Sequence, residues 1–145
     1  MYITKNTDYS LRTLMLLALK PADELMSIEE ISDTLSVSKA HLMKVVNTLA
    51  TLELVETVRG RNGGVRLYQD HGEINIGYVF RQLDEVTDIV DCHGEPCLFV
   101  GSCELSKIFN TATEAFLEEL DNYTLADLVK KRGKLQKIVF RHTGT

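Results

Sequence analysis

The chain has 145 residues, 44% of them hydrophobic and 26% charged, a balance that suits one domain with a packed core and argues against a disordered chain or a membrane protein. Its longest uninterrupted apolar run, Leu14 to Leu19, falls far short of the roughly 20 residues that span a bilayer. The start, MYITKNTDYS, lacks the basic and apolar pattern of a signal peptide, so a cytoplasmic protein is expected.

The net charge of −5 sits poorly with a nucleic-acid partner until its distribution is considered. Residues 36–66 carry Lys39, Lys44, Arg59, Arg61 and Arg66 against only Glu53 and Glu56. Acid gathers elsewhere, in Asp84 to Asp91 and Glu114 to Asp121. The pattern is a basic face on an acidic body.

In chain order, Thr7 is a good N-cap with Asp8 favourably placed in the following turn, and Leu11, Leu14, Met15 and Ala18 recur at helical spacing until Lys20-Pro21. Ser27-Ile-Glu-Glu30 is a capping box opening a short helix with Ile28, Ile31 and Leu35 inward. Ser36-Val37-Ser38 interrupts it, and Ser38 caps a helix reaching about Leu52, with Leu42, Val45, Val46 and Leu49 as its apolar stripe. The opposite face holds Ala40, Lys44, Asn47, Thr48 and Thr51, with His41 at its margin. Two helices joined by a tight turn, the second cationic outside, form a helix-turn-helix pattern.

Leu54 to Val58 then alternates like a strand, and RGRNGG separates it from Val65 to Leu67. Glycine and asparagine supply the positive φ angles of a hairpin, and two arginines at its tip contribute little to folding. Directly after a helix-turn-helix, this hairpin reads as a wing that grips phosphates or enters the minor groove. Lys44, Arg59 and Arg61 are the expected phosphate or groove contacts, and Ser38, His41 and Asn47 are placed for base edges. Lys39 and Asn62 complete the candidate DNA-binding set.

Ile76 to Leu83 forms another short amphipathic helix, and an irregular segment with Gly94, Pro96 and Gly101 follows. A long helix is expected from about Ser102 to Leu120, with Leu105, Ile108, Phe109, Ala112, Phe116 and Leu120 as its stripe. So small a DNA-binding module gains specificity when doubled on a palindrome, and this helix is the natural dimerisation element. Thr124 starts a final short helix, and a basic, mobile tail follows. The fold expected is mainly α, a winged helix-turn-helix. Residues 1–83 make up the expected DNA-binding region, 84–103 a cluster-binding loop, 104–131 the dimerisation and terminal helices, and 132–145 the tail.

Cys92, Cys97 and Cys103 lie in a C-x4-C-x5-C arrangement. In a reducing compartment a disulfide framework is disfavoured and a metal site favoured. Three readings fit this spacing: iron–sulfur ligation, structural zinc with the adjacent His93 as fourth ligand, and thiols that bind nothing. His93, beside Cys92 on one loop, is poorly placed as a general base, and neither a phosphate loop nor a catalytic carboxylate pair is present, so no enzyme is expected.

TDYSLR near the start, the wing VRGRNGGVRL, INIGYVFRQLD, the cysteine spacing and FLEELDNYTLADLV together resemble the NsrR group of nitric-oxide-sensitive repressors. That group lies within the wider winged-helix iron–sulfur repressors that include IscR. The resemblance runs from Thr7 to about Val129. It implies a homodimer with one iron–sulfur cluster per subunit, [4Fe-4S] or [2Fe-2S], that binds palindromic operator DNA. It further implies release of that DNA when nitric oxide attacks the cluster, derepressing detoxification genes. Cys92, Cys97 and Cys103 are the implied thiolate ligands. IscR-like members complete the site with a histidine shortly after the third cysteine, where this chain has Lys107, which cannot serve. NsrR-like members use an aspartate of the partner subunit's first helix. Asp8 is the matching position here, where a helix-terminus role competes with ligation.

Overall fold

The computed structural model describes residues 3–83, 89–90, 92, 94 and 96–141. The first helix, α1, spans Lys5–Ala18 and starts earlier than expected. Thr4, not Thr7, is its N-cap, accepting from the Thr7 backbone N–H at 3.2 Å. This places Thr7 one turn inside, fully buried with Ser10 and Thr13 along one side of the helix. Asp8 remains in the first turn, where a carboxylate is favoured by the helix dipole.

Helix α2 (Ile28–Leu35) begins with the anticipated capping box: Ser27 Oγ accepts from the Glu30 N–H at 3.1 Å and the Glu30 carboxylate from the Ser27 N–H at 2.7 Å. Ser36 ends it in the left-handed region, φ 55°. The Ser32 hydroxyl donates to the Val37 carbonyl at 2.6 Å and pins the turn into α3 (Lys39–Thr51), capped by Ser38. Leu42, Val45, Val46 and Leu49 are all buried, as their spacing predicts.

Strands β1 (Val55–Val58) and β2 (Gly64–Leu67) pair antiparallel with Val58 opposite Gly64. Gly60 takes φ 110° at the tip. Gly64 is required for another reason. Met26 and Val65 exchange backbone hydrogen bonds of 2.9 and 2.8 Å, and a Cβ on Gly64 would press on the Met26 carbonyl at 2.7 Å. The wing is therefore stitched along β2 to Met26, two residues before α2 begins.

Helix α4 (Ile76–Leu83) is capped by Asn75, whose side-chain oxygen accepts from the Tyr78 N–H at 2.9 Å. Helix α5 (Glu104–Asp121) packs on it, and α6 (Leu125–Leu128) follows. The α4–α5 crossing is close because Gly77 has no side chain: a Cβ there would collide with the Asp121 carboxylate. Arg81 grips that carboxylate with two bonds of 2.5 and 2.8 Å. Leu14, Ile31, Leu42, Leu49, Leu54, Ile74 and Leu125 are fully buried in one core that joins α1, α2 and α3 to the wing base and α6.

Two expectations need correction. The segment after Lys131 is not a mobile tail over its described length, because α7 spans Arg132–Arg141. Arg132 and Gln136 donate to the Leu19 carbonyl at 3.0 and 2.8 Å, satisfying an acceptor left open at the end of α1. Leu135, Val139 and Phe140 pack on the core, so α6 is not the final helix. The basic composition of this segment conceals that apolar side. The acidic run Asp84 to Asp91 and the tail residues 142–145 lie outside the described residues, apart from Ile89 and Val90.

Candidate nucleic-acid interface and cysteine loop

Filling the core with Leu42, Val45, Val46 and Leu49 forces the other side of α3 outward. Lys39, Ala40, Met43, Lys44, Asn47 and Thr51 are exposed there. The wing stands beside this face. Met43 and Asn47 share with Val58, Arg59 and Gly60 a cleft of ≈ 390 Å³. The structure thus brings the helix and wing candidates together on one surface, with Arg59, Arg61 and Asn62 exposed.

These candidates are not equally available. Ser38 is occupied as the cap of α3, accepting from the His41 N–H at 3.3 Å. Lys39 donates to Glu29 of α2 at 2.8 Å, a contact that lowers the glutamate's pKa and raises the lysine's. Both partners are exposed, so a phosphate can take over the lysine at small cost. His41 is half-buried, its ring edge-on to Tyr9 of α1 with centroids 5.0 Å apart. Arg66 is held by Glu56 across the strand pair at 2.5 Å and braces the wing rather than its tip. Met43 falls outside the set read from polarity. Its only signal in the sequence is an apolar side chain one position off the buried stripe.

The cysteines present a different picture. Cys92 and Cys103 are half-buried, Cys97 is exposed, and all three are free thiols. Cys103 precedes the first turn of α5 as its N-cap residue but makes no side-chain capping bond, so its sulfur has no structural duty there. Among the described residues no three His, Cys, Asp or Glu side chains are grouped closely enough to hold a metal ion, Asp8 with the cysteines included. His93, the fourth zinc ligand in one reading, lies outside the described residues. Asp8 is bound on its own helix, accepting from Arg12 Nε at 2.9 Å, with its side chain 31% exposed. Lys107 pairs with Glu104 at 2.6 Å on the surface of α5.

Among the described residues beside this loop, several large apolar side chains are exposed. Leu98 and Phe99 are 100% and 70% exposed, and Leu105 and Ile108 lie uncovered on the first turns of α5. Of the expected α5 stripe, Phe109, Phe116 and Leu120 are partly buried, while Thr113 and Leu117 supply the buried positions. The stripe is therefore covered toward the C-terminal end of the helix, where α4 packs, and open toward its start.

Comparison with known proteins places this architecture. Residues 3–131 match the Rrf2 family, described as iron-dependent transcriptional regulators. The HTH-type transcriptional regulator NsrR of Bacillus licheniformis is 44% identical over 142 residues, covering 96% of this chain and 99% of that one. NsrR of Bacillus subtilis is likewise 44% identical, covering 96% of this chain and 97% of its own. Among solved structures, CymR, the global cysteine regulator of B. subtilis, superposes with a TM-score of 0.73 at 26% identity, over 90% of this chain and 98% of CymR. IscR of T. potens superposes at 0.72 with 21% identity, over 94% and 91% of the two chains, a likeness of fold. Both support the winged helix-turn-helix assignment. Among the described residues no helix is long and apolar enough to cross a membrane. The chain belongs to the Rrf2 family of transcriptional regulators, its relatives include NsrR, and it is a DNA-binding regulator, not an enzyme.

Proposed function

We propose that this chain is a nitric-oxide-sensitive repressor of the cytoplasm. It acts as a homodimer that carries one iron–sulfur cluster per subunit and binds a palindromic operator. The observation that carries this reading is 44% identity to two NsrR regulators over nearly the whole of each chain. The donor chemistry agrees: three thiols without disulfide or capping duties sit within twelve residues of one loop. Cys92, Cys97 and Cys103 would hold the cluster, [4Fe-4S] or [2Fe-2S], and Asp8 of the partner subunit would complete the set as an oxygen donor. When bound, the cluster supplies iron with open affinity for nitric oxide. The uncovered Leu98, Phe99, Leu105 and Ile108 supply the apolar area that a dimer contact around this loop needs.

The chain's own residues carry the response. An Asp8 that served as a ligand would share its carboxylate with Arg12, which now engages one of its oxygens, or give Arg12 up, and one released can return to it fully. Either change acts on the first turn of α1, and Tyr9, the next residue, touches the recognition helix at His41. Operator affinity then depends on where α1 sits, a population shift between two arrangements. A hundredfold loss of affinity needs about 2.7 kcal/mol, within the usual range for coupled sites.

The decisive experiment is an absorbance spectrum of anaerobically purified protein, titrated with nitric oxide while DNA binding is followed. Iron and sulfide at stoichiometric levels, with loss of DNA binding as the spectrum bleaches, are expected. Zinc without iron overturns the reading.

A further inference from the structure

The face that carries the basic side chains also carries an apolar one. Met43 is 55% exposed at the centre of the outer face of α3, between Ala40 and Asn47. Val58, 40% exposed at the end of β1, lines the same cleft, with Arg59 next to it. A single exposed apolar residue is ordinary on any protein. Two that face a shared cleft, on the surface where Lys44 and Arg59 are also exposed, are not placed at random with respect to the partner. The cations suit a phosphate backbone. Between its phosphates the major groove offers one apolar feature, the C5 methyl group of thymine.

We propose that Met43 is a specificity-determining residue that reads a thymine methyl group in each operator half-site, with Val58 closing the wing side of the contact. Met43 follows Ala40 by three residues and precedes Asn47 by four, so these side chains share one line along the helix and present successive base pairs with an apolar, a flexible apolar and an amide contact. The unbranched thioether suits this role because it fills an irregular gap without a fixed shape. Neither side chain donates a hydrogen bond, so polarity alone does not mark them as contacts.

This inference rests on the operator-binding reading. The probe is a palindromic duplex recovered by in-vitro selection with the anaerobically purified wild-type protein. Each thymine of a half-site, with its symmetry mate, is then replaced by deoxyuridine, which removes the methyl group and leaves every hydrogen-bonding edge intact. Wild-type protein is expected to lose about four-fold in affinity per half-site at one thymine position, the equivalent of one buried methylene. Met43→Ala and the similarly long Met43→Gln should bind the thymine and deoxyuridine duplexes equally. Both should keep the wild-type melting temperature, because the side chain is outside the core. Wild-type protein indifferent to every replacement overturns the proposal, as does a variant that retains the full methyl preference. Failure to enrich any duplex would instead count against operator binding itself, and the assignment of Met43 would fall with it.

Discussion

Tyr9 of the first helix stands edge-on to His41 of the recognition helix, with ring centroids 5.0 Å apart and planes at 84°. Edge-to-face pairs of this kind contribute about 0.5–1.5 kcal/mol beyond area burial. The contact ties the helix bearing Asp8 to the first turn of the helix proposed to enter DNA. Tyr9→Ala should therefore shrink the difference in DNA affinity before and after nitric oxide by roughly 2- to 10-fold, while iron content stays constant. Tyr9→Phe keeps the ring and should keep the response. Fluorescence anisotropy of labelled duplex, with and without nitric oxide, is the measurement. An unaltered response in Tyr9→Ala would mean that α1 and α3 communicate by another route.

Arg59 is exposed at the wing and its guanidinium makes no ion pair among those identified for the described residues. Arg59→Ala should weaken DNA binding at every salt concentration and lower the slope of log affinity against log salt by about 0.9 for each half-site, one phosphate contact per subunit and so about 1.8 for a dimer. The absorbance of the bound cluster should not change. A slope equal to wild type would remove Arg59 from the interface.

Gly77→Ala tests the α4–α5 crossing. In an isolated helix this change would stabilise by about 1 kcal/mol. Here the added Cβ meets the Asp121 carboxylate and displaces the group that Arg81 grips. Overpacking of this kind costs about 1–3 kcal/mol, so a net loss is expected in urea denaturation. Increased stability would show that the two helices separate freely.

Asp127 bears on acid stability. The Lys130 ammonium, followed by the Thr124 backbone N–H, holds its pKa down to about 2, from an ordinary value of 3.8. A carboxyl with a depressed pKa in the folded state stabilises the fold above its unfolded value and loses that contribution as pH falls through the folded one. Wild-type stability should thus decline between pH 3.8 and about 2 more steeply than that of Asp127→Asn. Asp121, lowered by Arg81, shifts in the same direction and remains in both proteins. Circular dichroism along an acid titration makes the comparison. Identical curves would show that these contacts do not lower the Asp127 pKa in the folded protein below its unfolded value.

Truncation after Lys131 removes α7 and frees the Leu19 carbonyl from Arg132 and Gln136. It also uncovers core residues packed beneath Leu135 and Val139. Two hydrogen bonds at about 1 kcal/mol each set the scale, so a loss of about 2 kcal/mol or more is expected in thermal or chemical denaturation. A truncated chain as stable as the full one would restore the view of this segment as a dispensable tail.

Local chemistry made much of this molecule readable from its residues. The Ser27–Glu30 capping box, the Leu42, Val45, Val46 and Leu49 stripe and the glycine-rich hairpin each concern neighbours within a few positions, where backbone geometry and amphipathic spacing decide the outcome. The helix-turn-helix, the wing and the arginines at its tip followed from those alone. The three cysteines were equally visible as a set, but spacing left iron–sulfur, zinc and inert thiols open, because ligation depends on what is gathered around the sulfurs. Tertiary structure decided the long-range relationships. Thr4 displaced Thr7 as a cap because a threonine three residues earlier is just as good and leaves Thr7 for the core. A basic tail became α7 because its sparse apolar side found the end of α1, 113 positions away at the Arg132–Leu19 contact. Tyr9 met His41, and Met43 came to share a cleft with Val58, through packing that no periodicity encodes. Sequence determined which elements form and which faces they bury; only their assembly determined which exposed side chains stand together.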